Sequence, residues 1–236
     1  YFKRIIIAGD GGEALQLVRS HVPDIIVSDV MMPRMNGYKL CKTIKENINI
    51  SHIPVILLTA RDDRQSQISG YKNGADGYLS KPFEVEMLME LIRNRLKNRE
   101  YTKKRYLNAG LIPTPEESTI SLTDETFLIK LNSIIQENIE NSNLGIQFIC
   151  QEVGLGRSSL YNKLKALTGM GANEYISKLR IEKAITLISG TDMPFSEIAE
   201  KTGFTTPSYF STAFKQYTGE TPSQYKERKK KGLAGK

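Results

Sequence analysis

A doubly wound parallel α/β domain followed by an all-helical domain with two helix-turn-helix units is the architecture these 236 residues predict. Three observations carry that prediction. Over 1–98, continuously apolar runs alternate with segments whose apolar residues recur at helical spacing, the pattern of a parallel sheet covered on both faces. From Asp124 onward the patterning is helical throughout. Within that second half, GIQFICQEVGL (145–155) and SSLYNKLKALTG (158–169) return as PFSEIAEKTGF (194–204) and SYFSTAFKQYTG (208–219), at offsets of 49 and 50.

The first half resolves into strands at 2–8 (FKRIIIA), 24–29 (DIIVSD), 53–59 (IPVILLT) and 76–79 (DGYL). Helices are expected at 11–21, 36–47, 63–73 and 84–98, with Leu40, Ile44, Leu88, Leu91 and Ile92 on inward faces. The cluster Gly9-Asp10-Gly11-Gly12 is a turn between the first strand and the first helix. It lacks the G-x-G-x-x-G spacing, which argues against a dinucleotide site. Residues 99–123 mix charges and then run IPTPEES without a sustained period, and they read as a linker extended in part by its prolines.

In the second half, 124–229, each repeat is a short helix, a glycine-containing turn and a second helix. Leu160, Leu164 and Leu167 make the inward stripe of one second helix, and Phe210, Phe214 and Tyr217 that of the other. The helix between the repeats, 172–189, has 18 residues, or ~27 Å at 1.5 Å per residue. KERKKK (226–231) reads as a disordered, solubilising end, with loose phosphate contact as the alternative, and 230–236 is a basic tail.

Composition excludes several classes. With 39% hydrophobic and 25% charged residues the chain is an ordinary globular protein. No apolar run approaches the ~20 residues of a membrane helix. Cys41 and Cys150 lie far apart, among apolar helical neighbours, with no metal or redox spacing. They read as core residues of a reduced, cytoplasmic protein. Charge is uneven: +3 over 1–98, −2 over 99–144, and fourteen basic against eight acidic residues over 145–236. That favours a polyanion partner for the C-terminal end.

The stretch IIVSDVMMPRMNG (25–37) ends a buried strand on an acid. In an open parallel sheet, ligands gather beyond the carboxyl ends of the strands, so Asp29 can project into that crevice. Thr59 closes IPVILLT and Lys81 follows DGYLS, so an acid, a hydroxyl and an ammonium share one rim. An aspartate beside a lysine and a hydroxyl is suited to forming an acyl phosphate.

On these residues the first half resembles a response-regulator receiver domain, a flavodoxin-like fold, without its first strand and helix. The matching features are Asp29 in SDVMMPRMNG, Thr59 in LLTA, Tyr78, and Lys81-Pro82, with spacings of 30 and 52 from Asp29 to Thr59 and Lys81. The resemblance implies that Asp29 accepts a phosphoryl group from a histidine kinase and that Thr59 and Lys81 contact it. It further implies that Tyr78 changes rotamer with Thr59 and that Lys81-Pro82 is cis. Receivers hold Mg²⁺ with an acidic pair that no part of this chain supplies; Asp29 and the Met31 carbonyl are too few oxygens, and Asp10 is badly placed. The chain, which starts on Tyr, is therefore expected to be part of a longer protein and to phosphorylate poorly alone.

Residues 124–229 resemble the AraC-type DNA-binding domain across its length, through EVGLGRSSLYNKLKALTGM, RIEKAITLI and SEIAEKTGFTTPSYFSTAFKQYTGETPSQY. The N-terminal residues of a recognition helix reach base edges in the major groove. Arg157, Ser158, Tyr161, Asn162 and Lys165 are the candidates in the first unit, and Thr206, Pro207, Ser208, Ser211, Thr212 and Lys215 in the second. Asn162 can bond adenine twice, the hydroxyls read several bases, and Arg157, Lys165 and Lys215 suit phosphates.

Together these features imply a non-enzymatic transcriptional regulator of double-stranded DNA, controlled by aspartyl phosphorylation and dimerising through 63–98. The domain order also resembles the C-terminus of hybrid two-component sensors, in which a kinase precedes this segment and the receiver could serve mainly as a phosphorelay module. An alkyl-transferase reading would need a zinc-clustered cysteine set, which two isolated cysteines do not provide.

Overall fold

The computed structural model describes residues 2–60, 74–109 and 121–233. The expected helix at 63–73 lies outside the described residues. The chain divides into two compact units, one of Tyr1–Phe127 with Ala166–Gly169, the other of Leu128–Lys165 with Met170–Lys236.

In the first unit, three parallel strands pair in the order β1-β2-β3: β1 (Ile26–Asp29), β2 (Val55–Ala60) and β3 (Gly77–Lys81). Register sets Asp29 opposite Leu58, and Thr59 opposite Ser80. Around the sheet lie α1 (Gly11–His21), α2 (Gly37–Glu46) and α3 (Val85–Ala109). Val18, Leu40, Cys41, Ile44, Ile53, Val55 and Leu57 form one core cluster, each at or below 5% exposure. Burial pushes the Cys41 thiol up to about 12, so it stays a protonated apolar residue, as expected of a core cysteine.

Two expectations fail here. The run FKRIIIA at 2–8 is not a strand, and Ile5 and Ile7 are 72% and 84% exposed. High β-propensity does not make a strand without a ladder partner for its backbone groups, and the sheet offers 2–8 none among the described residues. The helix expected to end at 98 continues to Ala109, so the linker segment begins as helix. Its mixed charges fall on a run rich in Arg, Lys and Leu, RNRLKNREYTKKRYLNA, with neither Gly nor Pro to stop it.

The second unit contains most of α4 (Leu122–Glu137), α5 (Ile146–Val153), most of α6 (Arg157–Thr168), then α7 (Ala172–Gly190), α8 (Phe195–Lys201), α9 (Pro207–Thr218) and α10 (Pro222–Leu233). α5 ends at Gly154, whose left-handed backbone donates to the Cys150 and Gln151 carbonyls. α9 starts on a Thr206 cap with Pro207 in its first turn. α7 packs against α8, α9 and α10. Between them Phe204, Phe210, Phe214 and Tyr225 form a chain of edge-on or tilted rings 5.4–5.7 Å apart. Such rings add about 0.5–1.5 kcal/mol per pair beyond their burial.

KERKKK is a further correction: α10 runs through it to Leu233, and residues 234–236 of the tail lie outside the described residues. Arg228 pairs with Glu220 at 2.7 Å, Lys226 with Asp192 at 3.1 Å, and Lys231 with Glu227 one turn away. These neighbours neutralise part of the like-charge repulsion that a lysine run would impose on a helix. Among the described residues no helix is long and apolar enough to cross a membrane.

Candidate functional site

The rim of the sheet is built by the loop after β1. Asn36 caps α2 by accepting from the Lys39 amide at 2.9 Å, and Gly37 donates its N–H to the Val30 carbonyl at 3.0 Å. A Cβ on Gly37 would stand 2.3 Å from the Asp29 carbonyl oxygen. The Asn-Gly pair therefore lets α2 begin directly against the strand end. Arg34, at φ 61°, turns the loop in the left-handed region and pairs with Asp10.

Asp29 stands at this rim with its side chain 33% exposed. Its Oδ1 accepts the Met31 amide at 3.0 Å, and its Oδ2 contacts the Lys81 ammonium. Burial pushes the carboxyl up, but Lys81 and the backbone amides of Met31 and Val30 outweigh it and hold the group below its ordinary value. Thr59 is fully buried, and its hydroxyl has no hydrogen-bond partner among the described residues. Such a group is costly unless a ligand or water satisfies it. Tyr78 packs its half-buried ring against the core. The Lys81-Pro82 bond is cis, as expected.

The described residues do not by themselves form a Mg²⁺ site. Asp29 already has both oxygens engaged. The Asp10 carboxylate is 3% exposed, caps α1 through the Gly12 and Glu13 amides at 2.7 and 3.0 Å, and pairs with Arg34. Among the described residues no three His, Cys, Asp or Glu side chains gather as metal ligands.

In the second unit both second helices bury one face and expose the other. On α6, Leu160, Leu164 and Leu167 are buried, while Arg157, Ser158, Tyr161, Asn162 and Lys165 are exposed. Arg157 reaches back to Gln147 of α5 at 3.2 Å. On α9, Phe210 and Phe214 are fully buried, and Thr206, Pro207, Ser208, Thr212 and Lys215 are exposed. Ser211 is half-buried. Thr206 is partly committed, because its hydroxyl accepts the Tyr209 amide at 3.1 Å. Thr212 donates to the Ser208 carbonyl at 3.0 Å.

Comparison with known proteins gives this geometry a context. Residues 2–93 match the response regulator receiver domain, and residues 149–228 match a helix-turn-helix domain. The chain is 31% identical over 181 residues to the probable transcriptional regulator ycf29 of Pyropia yezoensis, covering 72% of this chain and 82% of that protein. The chain belongs to the response-regulator family.

Its output half is a helix-turn-helix domain. Over 224 residues the regulator is also 42% identical to histidine kinase P4 of Formosa agariphila, covering 95% of this chain but only 16% of that protein. With the transcriptional regulatory protein HptR of Staphylococcus aureus it shares 28% identity over 95% of this chain and 88% of that one.

Some residues of this response regulator escaped sequence reasoning. Tyr217 is not packed inward but is 40% exposed, with its hydroxyl on Glu182. Lys163, Lys178 and Arg180 are buried. Helical periodicity counts basic residues as outward, so no local pattern could have found them.

Proposed function

We propose that this chain reads double-stranded DNA through α6 and α9, under control of phosphorylation at Asp29. The observation that carries the proposal is the paired exposure just described: two repeated helices each bury an aliphatic or aromatic stripe and leave uncharged polar and basic side chains on the surface. Such side chains suit base edges and phosphates, respectively. Asn162, Ser158, Ser208 and Thr212 are assigned to bases, with Tyr161, Pro207 and Ser211 against the groove floor. Arg157, Lys165 and Lys215 are assigned to phosphates, and Thr206 chiefly to capping.

At the rim, Asp29 is the phosphoacceptor. Its carboxylate is the nucleophile, held below its ordinary pKa against burial by Lys81 and backbone amides, Lys81 offers the cation for the incoming oxygens, and Thr59 offers a hydroxyl with no partner among the described residues. Phosphorylation replaces the single carboxylate charge with the about −1.5 to −2 charges of a phosphoryl group, and Tyr78 and Thr59 respond to it. The donor is a histidine kinase. The likeness to a protein named histidine kinase P4 supports a kinase on the same polypeptide, with this segment as its cytoplasmic output end. Pairing of copies through 63–98 completes the reading, with 1–98 as receiver, 99–123 as connector and 124–229 as reader.

Selection of binding sites from random duplex DNA tests it. Asn162→Ala and Ser208→Ala should relax specificity at single positions. Uniform weakening across all sequences would move those residues to the phosphate class, and absence of any selected sequence would overturn the DNA reading.

A further inference from the structure

We infer that Arg180 fixes the spacing at which the two reading helices meet DNA. The inference rests on the DNA reading above and assigns one part of specificity to a residue that touches no base.

Arg180 lies midway along α7 and is 8% exposed. Its Nη2 donates to the Asn141 carbonyl at 2.7 Å, in the segment leading from α4 into α5. Its guanidinium carbon stands 6.0 Å from the Phe204 ring centroid. A Cβ built on Gly203 would fall 2.8 and 2.9 Å from Nη2 and Nε. One side chain thus touches both the approach to the first helix-turn-helix and the turn of the second.

The backbone completes this seam. Gly203 has φ +71°, and a Cβ there would also stand 2.2 Å from the Ile139 carbonyl oxygen. The turn of the second unit therefore lies directly against residues 139–141, which precede the first. α7 fixes the distance between the two units along its own axis. A single helix does not by itself fix rotation of one unit about that axis. The off-axis seam of Gly203 against Ile139, tied by Arg180 to Asn141 and Phe204, supplies that constraint, and rotation decides how many base pairs separate the two contacted stretches.

The chemistry fits a positioning role better than a stabilising one. Burial disfavours the Arg180 cation, and Nε has no hydrogen-bond partner among the described residues. A buried guanidinium is a poor choice for stability, since an apolar residue of similar volume would avoid the desolvation cost. What it adds is a directional donor and a flat face at one fixed orientation.

The test selects duplexes from a random library with the full 236-residue chain and with Arg180→Lys and Arg180→Met. The unaltered chain should select two sequence blocks at one gap, and adding or removing a base pair within the gap should weaken binding about tenfold or more. Both variants should select the same blocks but discriminate between gaps no more than about twofold. The inference is overturned if the unaltered chain tolerates the gap change, or if the variants keep its discrimination. It is overturned too if both variants fail to fold by circular dichroism, which would make Arg180 a core residue. If no blocks are selected at all, it is the DNA reading that fails.

Discussion

The Tyr217 hydroxyl, in the last turn of α9, donates to Glu182 of α7 at 3.4 Å. Lys178, one turn back on α7, stands 3.6 Å from the same carboxylate oxygen. Burial pushes the Glu182 carboxyl above its ordinary 4.5, an effect that Lys178 and Tyr217 only partly offset. Between the unfolded and folded pKa values the native state holds the extra proton, so stability declines as pH rises through that window. Glu182→Gln should flatten this decline in urea unfolding followed from about pH 4 to pH 7. An unchanged slope in the variant would show that Glu182 does not titrate as described.

Asp29 behaves in the opposite sense. Its folded pKa lies below 3.8, so its contribution is present above that value and is lost as pH falls through the folded pKa. Lys81→Met removes the ammonium and leaves the burial that raises the group. The Asp29 carboxyl should then titrate at higher pH, observable by carbon NMR of the side chain. A titration that does not move would exclude Lys81 as its partner.

Gly37→Ala places a methyl group 2.3 Å from the Asp29 carbonyl oxygen. The clash involves backbone, so the end of β1 or the start of α2 must shift. The expected loss is about 1–3 kcal/mol, read from thermal melting. The Lys81–Asp29 contact should loosen with it, raising the Asp29 titration toward its ordinary value. Gly154→Ala is a useful contrast, because an added Cβ there meets no atom within 4 Å and only the positive φ of 72° opposes it.

Lys165 and Lys215 are exposed on the two reading helices. Replacing either by alanine should weaken DNA binding by a similar factor for all sequences. The slope of log affinity against log salt should fall by about 1 for each lysine removed. Fluorescence anisotropy across a salt series checks this, and a change in sequence preference instead would assign the lysine to base contact.

Much of the fold was legible because it follows from local period. The apolar runs at 24–29, 53–59 and 76–79 became β1, β2 and β3, and the Asn-Gly after Asp29 became a cap and a close approach. The repeat became α5–α6 and α8–α9, with Leu160, Leu164, Phe210 and Phe214 inside. The run at 2–8 misled because strand formation depends on a neighbour, which propensity does not register. Tyr217 and the lysine-rich end misled for a related reason: an aromatic at helical spacing can bury its ring or use its hydroxyl, and a charged run can be paired.

The sequence by itself determined the order of elements, the two repeated helix pairs and the identities of Asp29, Thr59 and Lys81 on one rim, since side-chain type and spacing are written along the chain. Tertiary structure alone decided that the Thr59 hydroxyl has no partner among the described residues, that Arg34 engages Asp10, and that Arg180 joins residues 139–141 to the turn at Gly203. Those facts depend on which distant segments come within ångströms of each other, and contacts of that kind leave no period in the chain.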